Sequence, residues 1–189
     1  MKNKPLLVIE HCEPGLSEWL LLEYQHASTL WPGDIVFTNI HDKKTASTLQ
    51  TLGIVERKNA NDAYRGKPCI ILDPQAKKPL TPKDCSRTEA IIVGGILGYE
   101  EPKGRTKKLL SDKSGFLTRH LGPIQLSIDG AVFVVKAISE GLSLEDIEIA
   151  KEIEIVHDNI HSTILPFGYP VIDDVPMVTP GLVEYLVKR

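Results

Sequence analysis

Short apolar runs recur along the chain, each bounded by proline, glycine, aspartate or asparagine. They are PLLVIEH (5–11), DIVFTNI (34–40), PCIILDP (68–74) and EAIIVGGI (89–96). Near-continuous apolar runs of this length suit strands buried on both faces of a parallel sheet. Between them lie segments with helical spacing. In GLSEWLLLEYQHASTL (15–30), Leu16, Trp19, Leu20, Glu23 and Tyr24 share one stripe, and Ser17 is placed to cap the helix. DKKTASTLQTLG (42–53) predicts a helix ended by Gly53. The polar stretch 59–66 reads as a surface loop, and Thr81-Pro82 as the N-cap and first residue of a short helical turn. GRTKKLLSDK (104–113) predicts a short helix with a basic side, and GFLTRHLG (115–122) a fifth strand. In SIDGAVFVVKAISEG (127–141), Ile128, Ala131, Val132, Val135 and Ile138 fall on one helical face, and Gly141 ends it.

Alternation of strand and helix predicts an α/β fold, a mostly parallel sheet flanked by helices. Beyond residue 141, Ser143 and Asp146 have capping-box spacing. KEIEIVHD (151–158) alternates charged and apolar and predicts a half-exposed strand. STILPFGYPVID (162–173) predicts one or two strands broken by proline and glycine, and TPGLVEYLVKR (179–189) a terminal helix. No repeat or linker divides the chain, so residues 1–189 read as one domain with 147–189 as an appended segment.

Composition narrows the picture modestly. At 189 residues, 42% hydrophobic and 25% charged, the chain has the make-up of a globular protein with one sizeable core. A formal charge of -3 gives no support to a nucleic-acid binder, although a local basic patch is compatible with it. Cys12, Cys69 and Cys85 are odd in number and none is spaced as CxxC, which argues against a disulfide framework or a cysteine-rich zinc site. His157 and His161 are four apart, but in a segment read as strand and turn, so no metal site is expected. The opening residues read as a first strand, not a signal peptide, and no apolar run approaches membrane-spanning length; a cytoplasmic protein without a membrane partner is expected.

The candidate chemistry sits at three strand ends. GGILG (94–98) places adjacent glycines where backbone can turn sharply or approach a ligand closely. It is neither GxGxxG nor a P-loop, so it is a tight turn or a ligand loop of another kind. LDPQA (72–76) and HLGPIQLSIDG (120–130) end two further strands, and ligands of open α/β sheets sit beyond such ends. Carboxylates cluster nearby: Glu10, Glu13 and Glu18 around the first strand's end, Glu100 and Glu101 after the glycines. Each is either a solvated charge or a group that holds a cationic substrate or accepts a proton. Glu10 and His11 end a buried strand, which favours them. KGRTKK (103–108) is a basic helix face or a phosphate contact.

Taken together, IEHCEPGLSEWLLLEY, LDPQA, VGGILGYEEPKGRTKKLL and RHLGPIQLSIDGAV resemble the SPOUT methyltransferases. The resemblance is to the group that includes a eukaryotic protein-arginine methyltransferase acting on a small-subunit ribosomal protein. It runs from residue 8 to about 138 and is weaker beyond. It implies S-adenosylmethionine as methyl donor and a deep trefoil knot in the C-terminal half, a rare exception to chain topology. It further implies donor-binding loops at Leu72, Asp73 and Pro74; at Gly94, Gly95, Ile96, Leu97 and Gly98; and at Leu121, Gly122, Pro123, Ile124, Gln125 and Leu126, with Asp129 at the next helix start. The catalytic pool it implies is Glu10, Glu13, Glu18, Glu101 and Arg105. An arginine of a ribosomal protein is the expected acceptor, ribosomal or transfer RNA the alternative. A non-catalytic ribosome- or nucleic-acid-binding module is the reading from another class. A monomer and a knot-mediated homodimer both fit.

Overall fold

The apolar runs become the central strands of a six-stranded sheet in the computed structural model, which describes residues 4–98, 104–156 and 161–188. In chain order these are β1 (Leu6–His11), α1 (Glu18–Leu30), β2 (Ile35–Thr38), α2 (Lys43–Leu49), β3 (Ile54–Val55), α3 (Ala60–Ala63), β4 (Cys69–Leu72), α4 (Pro82–Cys85), β5 (Ala90–Gly95), α5 (Arg105–Leu109), β6 (Leu117–Arg119) and α6 (Ile128–Ser139). The strand order is β3-β2-β1-β5-β4-β6, and every neighbouring pair is parallel. Leu7, Ile9, Ile70, Ile91 and Val93 pack toward α1 and α6, while Val8, Val36, Ile71 and Ile92 pack on Ala60, Tyr64 and Leu110. Burial on both faces is why these strands read as unbroken apolar runs. Glu10 pairs with Gly94 and His11 with Gly95, so β1 and β5 end side by side where the strand order changes direction.

The remaining chain forms β7 (Ile149–Ala150), β8 (Ile153–Val156), β9 (Ser162–Leu165), β10 (Tyr169–Ile172), β11 (Val175–Pro176) and α7 (Leu182–Val187). β8 and β9 make an antiparallel hairpin, and β10 joins β7 and β11. Ile155, Leu165, Tyr169 and Leu182 cluster against Trp19 of α1. This segment is therefore packed onto the main sheet's helical layer. Among the described residues no helix is long and apolar enough to cross a membrane.

Local chemistry explains most boundaries. Ser17 Oγ accepts from Leu20 N, and Thr81 and Asp84 form a complete capping box with Pro82 at the first helical position. Four expectations change. Residues 59–66 hold α3, capped by Asn59, because burial of Ala60 and Tyr64 organises a stretch that composition made look like loop. Ser143 makes no side-chain cap, and residues 144–146 form a single 3-10 turn. α6 is buried on more than its expected face: Val134 and Ala137 are covered as well, since the helix contacts α1, β5, α4 and β10. α2 also stops at Leu49, before the expected Gly53.

Candidate active site

The loops after β4, β5 and β6 meet at the C-terminal edge of the sheet and enclose a cavity of about 930 Å³, counting its open mouth. Leu72, Asp73 and Pro74 form one side, and Gly94, Ile96, Leu97 and Gly98 a second. Leu121, Gly122, Ile124, Gln125 and Leu126 form the third and lead into α6. Three positions expected here lie elsewhere. Pro123 is exposed beside the lining, Gly95 faces away from it, and Asp129 is wholly buried within the first turn of α6. Val93, Gln75, Gly104, Thr106, Ser127, Ile128 and Ala131 also line the cavity. Most of these adjoin the motifs already noted, so strand and helix phase would have found them.

The loops are tied to one another. Asp73 accepts from Gln75 N at 2.9 Å through Oδ1 and from Ser111 Oγ at 2.6 Å through Oδ2, which fastens the β4 loop to the turn after α5. Gly122 takes φ 101°, a left-handed conformation that glycine permits, and donates its N–H to His120 Nδ1 at 3.0 Å. Leu72, Val93, Leu97, Leu121, Ile124 and Leu126 make the walls largely apolar. Apolar walls with exposed loop backbone suit a ligand carrying a flat aromatic ring and a polar chain.

The expected carboxylates separate clearly. Glu10 is buried, accepts from Thr38 Oγ1 at 2.5 Å and Ala60 N at 2.8 Å, and points to the sheet face opposite α1. Burial raises its pKa, and both bonds give it a structural task. Glu18 is exposed in the first turn of α1, a solvated charge that suits the helix N-terminus. Glu100 and Glu101 lie outside the described residues. Among the described carboxylates of the pool, Glu13 alone stands at the cavity rim with a partner from it. Its Oε1 accepts from Arg105 Nη1 at 2.7 Å and from Leu97 N at 3.0 Å, and both donors belong to residues that line the cavity. Arg105 Nη1 also lies 3.5 Å from the Leu97 carbonyl. Burial pushes the Cys12 thiol up to about 12, so it is no thiolate nucleophile at neutral pH.

Gly95 has a different reason to be glycine from the one its motif suggests. A Cβ there would enter the van der Waals envelope of Tyr24 Oη and lie 2.9 Å from the Glu10 carbonyl oxygen. The close approach is of an aromatic side chain, not of a ligand. Tyr24 Oη in turn lies 3.1 Å from His11 Nδ1. Asp129 belongs to a buried network: its Oδ2 lies 2.7 Å from His26 Nδ1 and accepts from Thr179 Oγ1 at 2.6 Å. Beside it, Glu23 accepts from Trp19 Nε1 at 2.6 Å and from Ile128 N at 2.9 Å. Burial, reinforced by the charge of Asp129, pushes the Glu23 pKa up to about 8. A carboxylate inside the apolar stripe of α1 was the sequence signal for this network.

A parallel sheet whose three consecutive strand-end loops close over one pocket is the architecture of SPOUT methyltransferases. The chain belongs to the protein arginine N-methyltransferase SFM1-like family, whose family model matches residues 6–189. That match takes in the C-terminal segment, beyond the motifs that carried the resemblance. Protein arginine N-methyltransferase SFM1 of Saccharomyces cerevisiae is 29% identical, with the alignment covering 96% of this chain and 93% of the relative. The crystal structure of the yeast enzyme complexed with SAM superposes with a TM-score of 0.87 at 26% identity, covering 98% of this chain and 91% of that one. A dual-specific Trm10 of Thermococcus kodakaraensis shares the fold, with a TM-score of 0.59 at 15% identity over 75% of this chain and 96% of the other.

Proposed function

We propose that this protein transfers a methyl group from S-adenosylmethionine to an arginine side chain of a protein, and that the acceptor is a ribosomal protein. The observation that carries the reading is Glu13, a carboxylate fixed at the rim of the loop-lined cavity with one oxygen engaged there and the other accepting no hydrogen bond among the described residues. The ribosomal acceptor rests on the family resemblance alone.

The cavity fits the donor. Its apolar side chains suit the adenine ring, while the β5 and β6 loops bring backbone groups to the lining. Bound there, the donor supplies an electrophilic methyl group on a sulfonium that leaves as a neutral thioether. The residues of this chain have to align the acceptor and manage its charge. A guanidinium is delocalised and protonated, hence a poor nucleophile. Glu13 Oε2 orients its N–H groups and takes up the proton that the attacking nitrogen gives up as the N–CH3 bond forms. Arg105 holds Glu13 in place from the donor side. The knot belongs to the same proposal. What supports it is that the segment from His120 to Ser127 joins edge strand β6 to α6 and lines the same cavity as the loops after β4 and β5. The RNA reading is less well supported, because Arg119, the basic side chain at the end of β6, is engaged: it donates to both Asp84 oxygens at 2.9 and 3.0 Å.

The test is incubation with radiolabelled donor and a cell extract, followed by protease or nuclease. Protease-sensitive label on a ribosomal protein is expected, and nuclease-sensitive label overturns the acceptor. Glu13→Gln keeps an acceptor oxygen for Leu97 and Arg105 while losing the charge. It should lower transfer about 100-fold with donor binding retained; transfer at the wild-type rate would remove Glu13 from the mechanism.

A further inference from the structure

A second cavity, about 1220 Å³ with its open mouth, lies between the end of β1 and the start of α2. Neither the family nor the motifs assign it. Its wall shares Glu13 with the first cavity's rim: Oε1 is tied to Leu97 and Arg105 on the donor side, while the residue itself lines the second cavity. His11 lines it too. Its Nδ1 is occupied by Tyr24, and the ring has no other partner among the described residues, so Nε2 is available. Burial lowers the His11 pKa, opposed in part by the nearby Glu13 carboxylate. Asn39 completes the polar end. It holds a left-handed backbone at φ 64°, donates Nδ2 to the His11 carbonyl at 2.8 Å and sets Oδ1 3.0 Å from His41 Nε2. A strained residue bonded on both sides of a cavity fixes that cavity's shape. Pro14, Leu16, Leu21 and Ile40 form an apolar strip of the remaining wall, and Asp42, Lys44, Thr45 and Thr48 its polar side.

We propose that this second cavity is the groove for the acceptor polypeptide, receiving an arginine side chain with its guanidinium between Glu13 and His11 and its aliphatic stem along Leu16 and Ile40. The inference rests on the methyltransferase reading for its direction, but its chemistry is a cationic planar head on an apolar stem. Lys44, the one cation among the described lining residues, sits beside Asp42 on the outer lip, and at the deep end the Arg105 pair engages Glu13 Oε1 and leaves Oε2 to accept. Lysine carries a compact point charge and cannot span Glu13 and the imidazole with one planar group.

The test uses the full chain, isotopically labelled, with the backbone amides followed by NMR. S-adenosylhomocysteine is added first and should shift the loops around Leu72 and Gly122. Acetyl-arginine-amide is then titrated to about 50 mM, since so small a probe binds weakly. Shifts centred on His11, Gly15, Asn39 and Thr45 are expected, with acetyl-lysine-amide giving less than about a third of the effect. Shifts confined to other surfaces, no shifts at all, or equal shifts with lysine overturn the groove. Thr48→Arg, on the α2 wall, should weaken the arginine probe at least about 5-fold and raise the KM for protein methylation while leaving donor affinity unchanged; wild-type behaviour in both measurements overturns the groove as well. If S-adenosylhomocysteine shifts nothing, the donor reading fails, and the arginine titration still decides the groove.

Discussion

Replacing Gly95 with alanine tests whether the double glycine serves the fold or the ligand. The added methyl would overlap Tyr24 Oη, lie 2.9 Å from the Glu10 carbonyl oxygen and 3.1 Å from Tyr24 Cζ. None of these can withdraw easily. Tyr24 is wholly buried against Phe37, with ring centroids 5.2 Å apart, and the Glu10 carbonyl lies within the β1–β5 ladder. Overpacking of this kind costs about 1–3 kcal/mol. Displacing the tyrosine hydroxyl from His11 adds about 1 kcal/mol. At roughly 2–4 °C per kcal/mol for a chain of this size, the melting temperature should fall by about 5–15 °C. Tyr24→Phe removes the atom that clashes hardest. Alone it should cost about 0.5–1.5 kcal/mol. In its presence the Gly95→Ala penalty should shrink by about 1 kcal/mol or more, leaving the part due to the Glu10 carbonyl. Thermal and urea unfolding of the four proteins measure this cycle. A Gly95→Ala melting point equal to wild type, or strict additivity in the double variant, would refute the packing account. Because Gly95 lies off the cavity lining, the folded variant should also keep its stabilisation by donor.

Two further outcomes follow from the site and the buried network. Ala131 lines the cavity proposed for the donor from the first turn of α6, so Ala131→Leu should abolish most of the donor's thermal stabilisation, about 2.7 kcal/mol at 100 times Kd in the wild type, with the ligand-free melting point nearly unchanged; an undiminished donor shift would exclude this cavity. Between its ordinary value of 4.5 and about 8, Glu23 holds a proton in the folded chain that the unfolded chain releases, so its contribution to stability falls as pH rises across that window. Glu23→Gln lacks that slope. Melting points at about pH 5 and pH 8 should move in the variant's favour at the higher pH, and a gap independent of pH would show that Glu23 is ionised throughout.

Much of the sheet was legible because parallel strands buried on both faces write themselves as apolar runs, and the runs at 5–11, 34–40, 68–74 and 89–96 became β1, β2, β4 and β5. α3 was not legible, because what organises it is a carboxylate fifty residues away: Glu10 accepts from Ala60 N. The three loops of the candidate site were visible as Gly- and Pro-bearing strand ends. What each residue does within them was not, since that depends on which side of the loop meets the cavity. Gly94 lines it and Gly95, its neighbour, packs on Tyr24. The five candidate carboxylates and arginine looked alike as charges near a strand end. Only the fold shows that Glu10 is turned into the sheet's opposite layer while Glu13 meets Arg105 across 92 positions of sequence.

The bond from Thr179 to Asp129 has a consequence for how the chain comes to be folded. Asp129 is wholly buried, and its Oδ2 is shared by His26, 103 residues earlier, and Thr179, 50 residues later. During synthesis the sheet and α6 are complete before residue 179 has been made, so Asp129 waits with an unfilled hydrogen bond at its centre. Contacts this distant in sequence form late and slowly. A chain truncated before residue 179 should therefore keep a buried Asp129 short of one hydrogen bond, and its limited proteolysis should run faster than that of the full chain.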